Sequence, residues 1–500
     1  MKLSSKTLFT VIAATACASR CCAVSFQITK VYTVNAGAST NAPYVPHVGE
    51  PYTVGVKYTQ TGTASGPYKL SFRLADRVKT IVISNTAPGD KYFVQEFGLV
   101  PLDDTIDIEA DIDPDGAAVS PRGPTQVATF TPVPPDAPVD FYDPMNVVST
   151  QYFEYHIQTG GKYSFHWLEG CPVTDGWQTV MTSRCTVNGA SLAPVKMANP
   201  LLYPLFYYGG NNLTSTKLNF VQESTMVVRN QRVNPTKLRQ VTWGDMDALK
   251  GIDILRFLTR PESVIQSEDP VIKNFVEKYL GGAGYRSKLT PYDACRTVFR
   301  AVLAHCSYYY PQPGQPDTRA KDPIEMVLKG QGDCGSFSGL LVACYRQMGI
   351  PARSDCGGWI GTGQGHCWCE MWFPRAGWIV SDGSAGKGNL AVPPANPHKQ
   401  VSLLALAPYA YYFGFIPDLN IRYAQCRGNT FAYADTYSVT LQGCISNPII
   451  TNCVATAVPG VGILAFMTKN IPISPAVAQL HAMLAPYSDG APQHLKVPKN

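Results

Sequence analysis

The sequence predicts an α+β protein with an all-β N-terminal part and a core in which helices come before strands. Three observations carry this. Across residues 24–133, runs such as "PYTVGVKYTQ", "YKLSFRLA" and "TIDIEADI" alternate apolar and polar residues between Gly, Pro, Asn and Asp breaks. Helical signals begin only near residue 268, with capping residues ahead and glycines behind. Three strand-like runs then follow at 352–360, 366–374 and 377–382, and helices followed by strands give an α+β order.

The N-terminal run has the spacing of an immunoglobulin-like sandwich, a β-domain of about 100 residues. "TPVPPDAP", 131–138, is a stiff proline linker that ends it. Residues 134–245 read as β-rich, with aromatic segments such as "QYFEYHI" and "PLLYPLFYYGG". The catalytic core is expected over 246–400. A C-terminal β-rich segment is expected over 401–500, where "SLLALAPYAYYFGF" and "GVGILAFM" alternate with turns.

Within the core, Pro270 opens a helix whose stripe is Val271, Ile272, Phe275, Val276, Tyr279 and Leu280, and Gly281-Gly282 stop it. A second helix starts at Thr290-Pro291 with Asp293 in its first turn. A short third runs from Asp322-Pro323 to Gly330. A fourth begins at Cys334 and ends near Met348, before Gly349 and Pro351.

The chain has 500 residues, 45% hydrophobic and 15% charged, with a net charge of +5. It can bury a core, and it shows no basic patch interleaved with aromatics, so nucleic-acid binding is not expected. Lys2 and Lys6, the apolar run Leu8–Ala16 and the small residues Ala16-Cys17-Ala18 make residues 1–23 a secretory signal peptide. A secreted, periplasmic or cell-surface protein is therefore expected, and no later apolar run is long enough for a membrane span. Of the 15 cysteines, Cys17, Cys21 and Cys22 lie in or near the signal, and most of the other 12 should pair in that setting, with Cys171–Cys185 and Cys444–Cys453 as close candidates.

Cys334 is the residue that asks for a function. It stands between Gly332 and Gly335, beside Asp333, where an apolar helix begins. A thiol attacks as thiolate, and a helix N-terminus favours that form. His366 opens a later strand and Asp382 ends the next one. With the "PRAG" turn, 374–377, between the strands, the two come side by side. An imidazole to exchange the proton and a carboxylate to orient the ring complete a Cys–His–Asp triad.

Other readings stand beside this one. Cys334 could be half of a disulfide. Cys356, Cys367 and Cys369 bracket His366 and include usual zinc ligands. Strand alternation, however, points Cys367 and Cys369 away from His366, so packing or a disulfide is favoured and no metal is expected. "DIDPDGAAVSPR", 111–122, starts like a calcium loop but has Arg122 in the twelfth position, which favours a turn. Asn212 would accept a glycan only in a eukaryotic secretory route.

"GDCGSFSGLLVACYRQMGIPAR", "GHCWCEMWF" and "GWIVSD" together resemble the three blocks of the transglutaminase-like superfamily, whose core is papain-like. The resemblance covers about 240–400 and is nearer to bacterial exported members than to animal cross-linking enzymes. It implies that Cys334, His366 and Asp382 are catalytic, that no cofactor is needed, and that the reaction is acyl transfer from a glutaminyl or other amide through a thioester. The partner would be a protein or peptide amide donor, and water or a primary amine the acceptor. It also implies an aromatic oxyanion donor upstream, among Tyr308, Tyr309 and Tyr310 with Tyr309 first, and Trp368, Glu370 and Trp378 as scaffold and groove wall. Asp382 is followed by Gly-Ser where Pro-Thr is common in the family. The alternatives are a cysteine peptidase or amidase acting on protein or cell-wall peptide, and a catalytically silent surface binding protein.

Overall fold

A computed structural model describes residues 25–35, 45, 48, 51–64, 67–74, 77–84, 87–99, 106–113, 125–130, 134–172, 174, 177–195, 205–251, 258–261, 265–311, 314–359, 365–387, 412–416, 422–427, 430–433, 437–440, 449–451, 454–457 and 463–468. The expected signal peptide, the calcium-like stretch from 114 on, Cys444 and Cys453 lie outside these residues. The described residues fall into two units, one within 1–133 and one from 134 on.

The first unit contains strands β1 (Ser25–Asn35), β2 (Pro51–Thr61), β3 (Tyr68–Leu74), β4 (Arg77–Ile83), β5 (Gly89–Leu99), β6 (Ile106–Asp113) and β7 (Thr125–Phe130). They form two antiparallel sheets, in the orders β1-β2-β5 and β4-β3-β6-β7. Alternation turns Val54, Val56 and Tyr58 of the first sheet and Leu70, Phe72, Ile108, Ala110 and Ile112 of the second into one cluster. Burying those side chains away from water is what holds the sheets together.

The second unit opens with β8 (Val139–Gln158), β9 (Tyr163–Gly170), β10 (Gln178–Val187), β11 (Ala190–Leu192), β12 (Pro194–Val195), β13 (Leu205–Leu213) and β14 (Lys217–Val233). Along β14 burial alternates almost without break, as expected for a strand with one face on a core. Phe153, Tyr155, Trp167, Phe206 and Phe220 fill the space between its sheet and that of β9 and β13, with Trp167 stacked 4.2 Å from Phe220. Cys171 and Cys185, expected to pair, both lie in this cluster as free thiols. Burial pushes both thiols up, Cys185 to about 12.

The helices are α1 (Pro235–Leu238), α2 (Trp243–Ala248), α3 (Pro270–Leu280), α4 (Pro291–His305), α5 (Pro323–Lys329), α6 (Cys334–Gln347) and α7 (Gly383–Gly386). The caps read from the sequence explain the starts. Asp269, Thr290, Asp322 and Asp333 each accept a first-turn N–H with their side chain. Gly281 and Gly330 end α3 and α5 at positive φ, 82° and 67°.

Among these helices run β15 (Ser307–Tyr308) and β16 (Gln331–Gly332), paired in parallel. After α6 come β17 (Ala352–Trp359), β18 (Gly365–Phe373) and β19 (Gly377–Ser381). The described C-terminal strands are β20 (Phe415–Ile416), β21 (Arg422–Arg427), β22 (Thr430–Tyr433), β23 (Tyr437–Thr440), β24 (Ile449–Thr451), β25 (Val454–Ala457) and β26 (Ile463–Thr468). β22 and β23 pair with each other, and the rest complete sheets begun earlier. β21 joins β17 in the order β19-β18-β17-β21, β24 joins β9, β25 and β26 join β8, and β20 joins β14. Helix α6 lies against β17 and β18, where Ser338 Oγ donates to Trp368 O at 2.6 Å, and its Phe337, Leu340, Leu341 and Cys344 are fully buried. Among the described residues, no helix is long and apolar enough to cross a membrane.

Candidate active site

Cys334 is the first residue of α6. Its first-turn N–H groups have no intrahelical acceptor, so the helix presents partial positive charge at the sulfur. Asp333 caps this turn by accepting from Ser336 N at 3.1 Å. Its other oxygen pairs with Arg319 Nη1 at 2.6 Å, which offsets the carboxylate charge next to the thiolate. Gly332 is required by packing. A Cβ there would lie 2.5 Å from Ser336 Oγ and 2.9 Å from Met326 Sδ. At the exposed Gly335, by contrast, an added Cβ would meet Asp333 Oδ1 at a tight but tolerable 3.4 Å.

His366 is the second residue of β18. Asp382 follows β19 directly and is the N-cap of α7. The two strands meet in register, with Cys369 opposite Ser381 and Phe373 opposite Gly377. This brings His366 Nε2 to 2.7 Å from Asp382 Oδ2, with both side chains almost fully buried. Asp382 Oδ1 is held separately, accepting from Ala385 N and Ser384 Oγ at 3.0 Å each. The cap fixes the carboxylate and leaves one oxygen for the ring. With Nε2 engaged, Nδ1 is the nitrogen that faces Cys334, to which His366 also hydrogen-bonds. The sulfur, the ring and the carboxyl of these three residues thus lie together.

The charges follow from these contacts. Burial alone would lower the His366 pKa, but the charge and hydrogen bond of Asp382, together with Cys334, raise it to about 9. Cys334 is lowered to about 6, first by a hydrogen bond from Cys367 and then by His366, against burial and Asp333. Between those values the thiolate–imidazolium pair is the stable form.

Two other expectations need correction. Tyr309 Oη donates to Pro316 O at 3.1 Å and so is turned away from the sulfur. The neighbouring Tyr308 pairs with Gly332, two residues before Cys334. Its hydroxyl pKa is pushed up by burial and then by the charges of Cys334, Asp333 and Asp382. Trp368 is buried to 1% and stacks 5.8 Å from the His366 ring, so it backs the histidine and does not wall the groove. Glu370 is scaffold, as expected. It accepts from Arg353 at 2.6 Å and from Trp177 Nε1 at 2.8 Å.

The groove at Cys334 has a volume of about 470 Å³ and is lined in part by Ile265, Asp317, Arg319, Lys321 and Asp322. Cys356 and Cys367 line it too. The sequence reading missed Cys367 beside the nucleophile, although its place next to His366 was a signal. Cys369 is separate and donates to Ser381 O at 3.1 Å.

Residues 280–383 match the family model of the transglutaminase-like superfamily, and that segment holds Cys334, His366 and Asp382. No curated protein matches the chain. Among solved structures, the chain is similar to a candidate cysteine protease from Cytophaga hutchinsonii, at 13% identity over 67% of this chain and 95% of that one, with a TM-score of 0.42. It is also similar to a candidate protease from Parabacteroides distasonis, at 9% identity over 70% of this chain and 65% of that one, with a TM-score of 0.19.

Proposed function

We propose that this chain, with its transglutaminase-like segment at 280–383, is a cysteine-dependent enzyme that cleaves amides through a thioester. The observation that carries the reading is the buried His366–Asp382 contact at 2.7 Å, with Cys334 on the remaining ring nitrogen. The Cys334 thiolate attacks a glutaminyl or peptide carbonyl carbon. The oxyanion is met by N–H groups of the first turn of α6 and by the Tyr308 hydroxyl. His366, as imidazolium, gives its Nδ1 proton to the departing ammonia or amine. A thioester remains on Cys334, and His366 then takes a proton from water or a primary amine as that group attacks it.

A specific observation favours water as the acceptor. The sulfur is only half-buried, in a groove with charged side chains along its wall, so water reaches the thioester. The N-terminal pair of sheets, in the orders β1-β2-β5 and β4-β3-β6-β7, supports an immunoglobulin-like reading of that unit. Export is proposed on residues 1–23 alone.

The test is incubation with a glutamine-donor peptide and a labelled amine, comparing the full chain with Cys334→Ala. Ammonia release without label is expected and assigns a hydrolase. Label incorporation assigns a transferase. No reaction from either protein on any amide donor would leave the silent binding protein as the reading.

A further inference from the structure

Three sulfurs open on the groove, and the proposed reaction uses only one as nucleophile. Cys334, Cys356 and Cys367 all line it. Cys356 and Cys367 are direct cross-strand partners in the β17–β18 ladder, with Sγ atoms 3.1 Å apart. Cys367 also hydrogen-bonds the Cys334 sulfur, so it has a thiol on either side. Acyl transfer draws on Cys367 only for the hydrogen bond it gives the Cys334 sulfur, and it does not need Cys356 beside it. Cys295 and Cys344, by contrast, are fully buried and are not among the residues that line this groove.

We propose that Cys334, Cys367 and Cys356 form a thiol–disulfide exchange site with Cys367 as the shared partner. A Cys356–Cys367 bridge leaves the nucleophile free, and a Cys334–Cys367 bridge silences it. The inference rests on Cys334 being the thiolate nucleophile described above.

The chemistry balances with a low-molecular-weight disulfide as oxidant. A groove thiolate attacks that disulfide and expels one small thiol. The neighbouring protein thiolate then displaces the second. One S–S bond forms in the protein, and two electrons and two protons leave on two small thiols. Interconversion needs no further oxidant. The Cys334 thiolate attacks Cys367 Sγ, the Cys334–Cys367 bond forms, the Cys356–Cys367 bond breaks, and the electron pair leaves on Cys356. The reverse step expels Cys334. It is the better-stabilised thiolate and so the better leaving group, and exchange settles with the nucleophile free. When Cys334 has taken a small thiol, the reduced pair clears it: the Cys367 thiolate attacks Cys334 Sγ and expels the small thiol, the Cys356 thiolate then attacks Cys367 Sγ and expels Cys334, and the Cys356–Cys367 bridge is left.

The experiment takes the full chain, reduces and desalts it, and incubates it with oxidised glutathione. Free thiols are alkylated with iodoacetamide at pH ~6.5, where an ordinary thiol reacts poorly. Chymotryptic cleavage after Trp359 and Trp368 separates Cys356, Cys367 and Cys369 for mass spectrometry under non-reducing conditions. The wild type is expected to give a Cys356–Cys367 cross-link with Cys334 alkylated. Cys356→Ser is expected to give a Cys334–Cys367 cross-link and alkylation of Cys334 slower by more than about tenfold, reversed by dithiothreitol. Cys367→Ser is expected to give a glutathione adduct at Cys334. A wild type that carries glutathione on Cys334 while Cys356 and Cys367 stay alkylated would overturn the exchange site. So would Cys356→Ser without the Cys334–Cys367 cross-link. If Cys334 alkylates readily in the reduced wild type and no internal bridge ever forms, only the exchange site fails. If Cys334 is inert in the reduced wild type at that pH, the triad reading itself fails.

Discussion

His366 is held by a carboxylate whose second oxygen is already committed to a helix cap, so its ring has one orientation and one proton-bearing nitrogen for Cys334. Two outcomes follow at this scale. The rate of Cys334 alkylation should rise through a midpoint near about 6, and the amide-cleaving rate should fall again above about 9. Below the lower limb the sulfur holds a proton and cannot attack. Above the upper limb the ring has lost the proton it must give to the leaving group. A pH profile of both rates measures this, and His366→Ala should move the alkylation midpoint up toward the ordinary thiol value of about 8.5. Asp382→Asn keeps a capping side chain but removes the charge that fixes the imidazolium. It should lower kcat by about 10²- to 10⁴-fold with little change in thermal stability. The triad was legible in the sequence because its three blocks bring their own spacing. Tyr309 was misassigned because one residue of strand register exchanges faces, and the pairing of Tyr308 with Gly332 cannot be read from a tyrosine triplet.

At the level of elements, α6 depends on its entry turn more than on its own propensity. Gly332→Ala would force a methyl group into Ser336 and Met326, and overpacking of this kind costs about 1–3 kcal/mol. Denaturant melts should show that loss, and Cys334 alkylation at pH ~6.5 should slow as the turn shifts. The four long helix starts were readable because each has an acceptor side chain just ahead of its first turn. The three core strands were readable as runs of Trp, Cys, Ile and Val between glycines. Gly332 could be read as special, but its reason could not, because the atoms that crowd it come from Met326 on α5 and from the next turn of α6.

Within the second unit, the β-rich residues before the core act as part of it. Trp177 reaches Glu370 at 2.8 Å, and Gln231 both donates to Trp378 O and accepts from Val380 N. A truncation that begins at residue 246 should therefore fail to fold cooperatively, as judged by loss of a single thermal transition. The buried Arg353–Glu370 pair gives a finer test. Glu370→Leu strips the buried Arg353 guanidinium of its 2.6 Å partner, leaving only Asp355 Oδ1 at 3.7 Å, and should cost about 3–5 kcal/mol in denaturant melts. The strands after residue 412 were illegible in the sequence. They are two to six residues long, too short for a period to show, and all but β22 and β23, which pair with each other, are specified by a partner far away along the chain.

The edge of the strand that leads to Asp382 is already occupied. Ser381 bridges to Phe413, Gly414 N donates to Val380 O, Asp382 N donates to Tyr412 O, and Gln231 takes the N–H of Val380. No guest chain can zip onto that margin by main-chain pairing. For the proposed amide cleavage, a visiting polypeptide therefore has to be gripped elsewhere along the groove than at this strand margin.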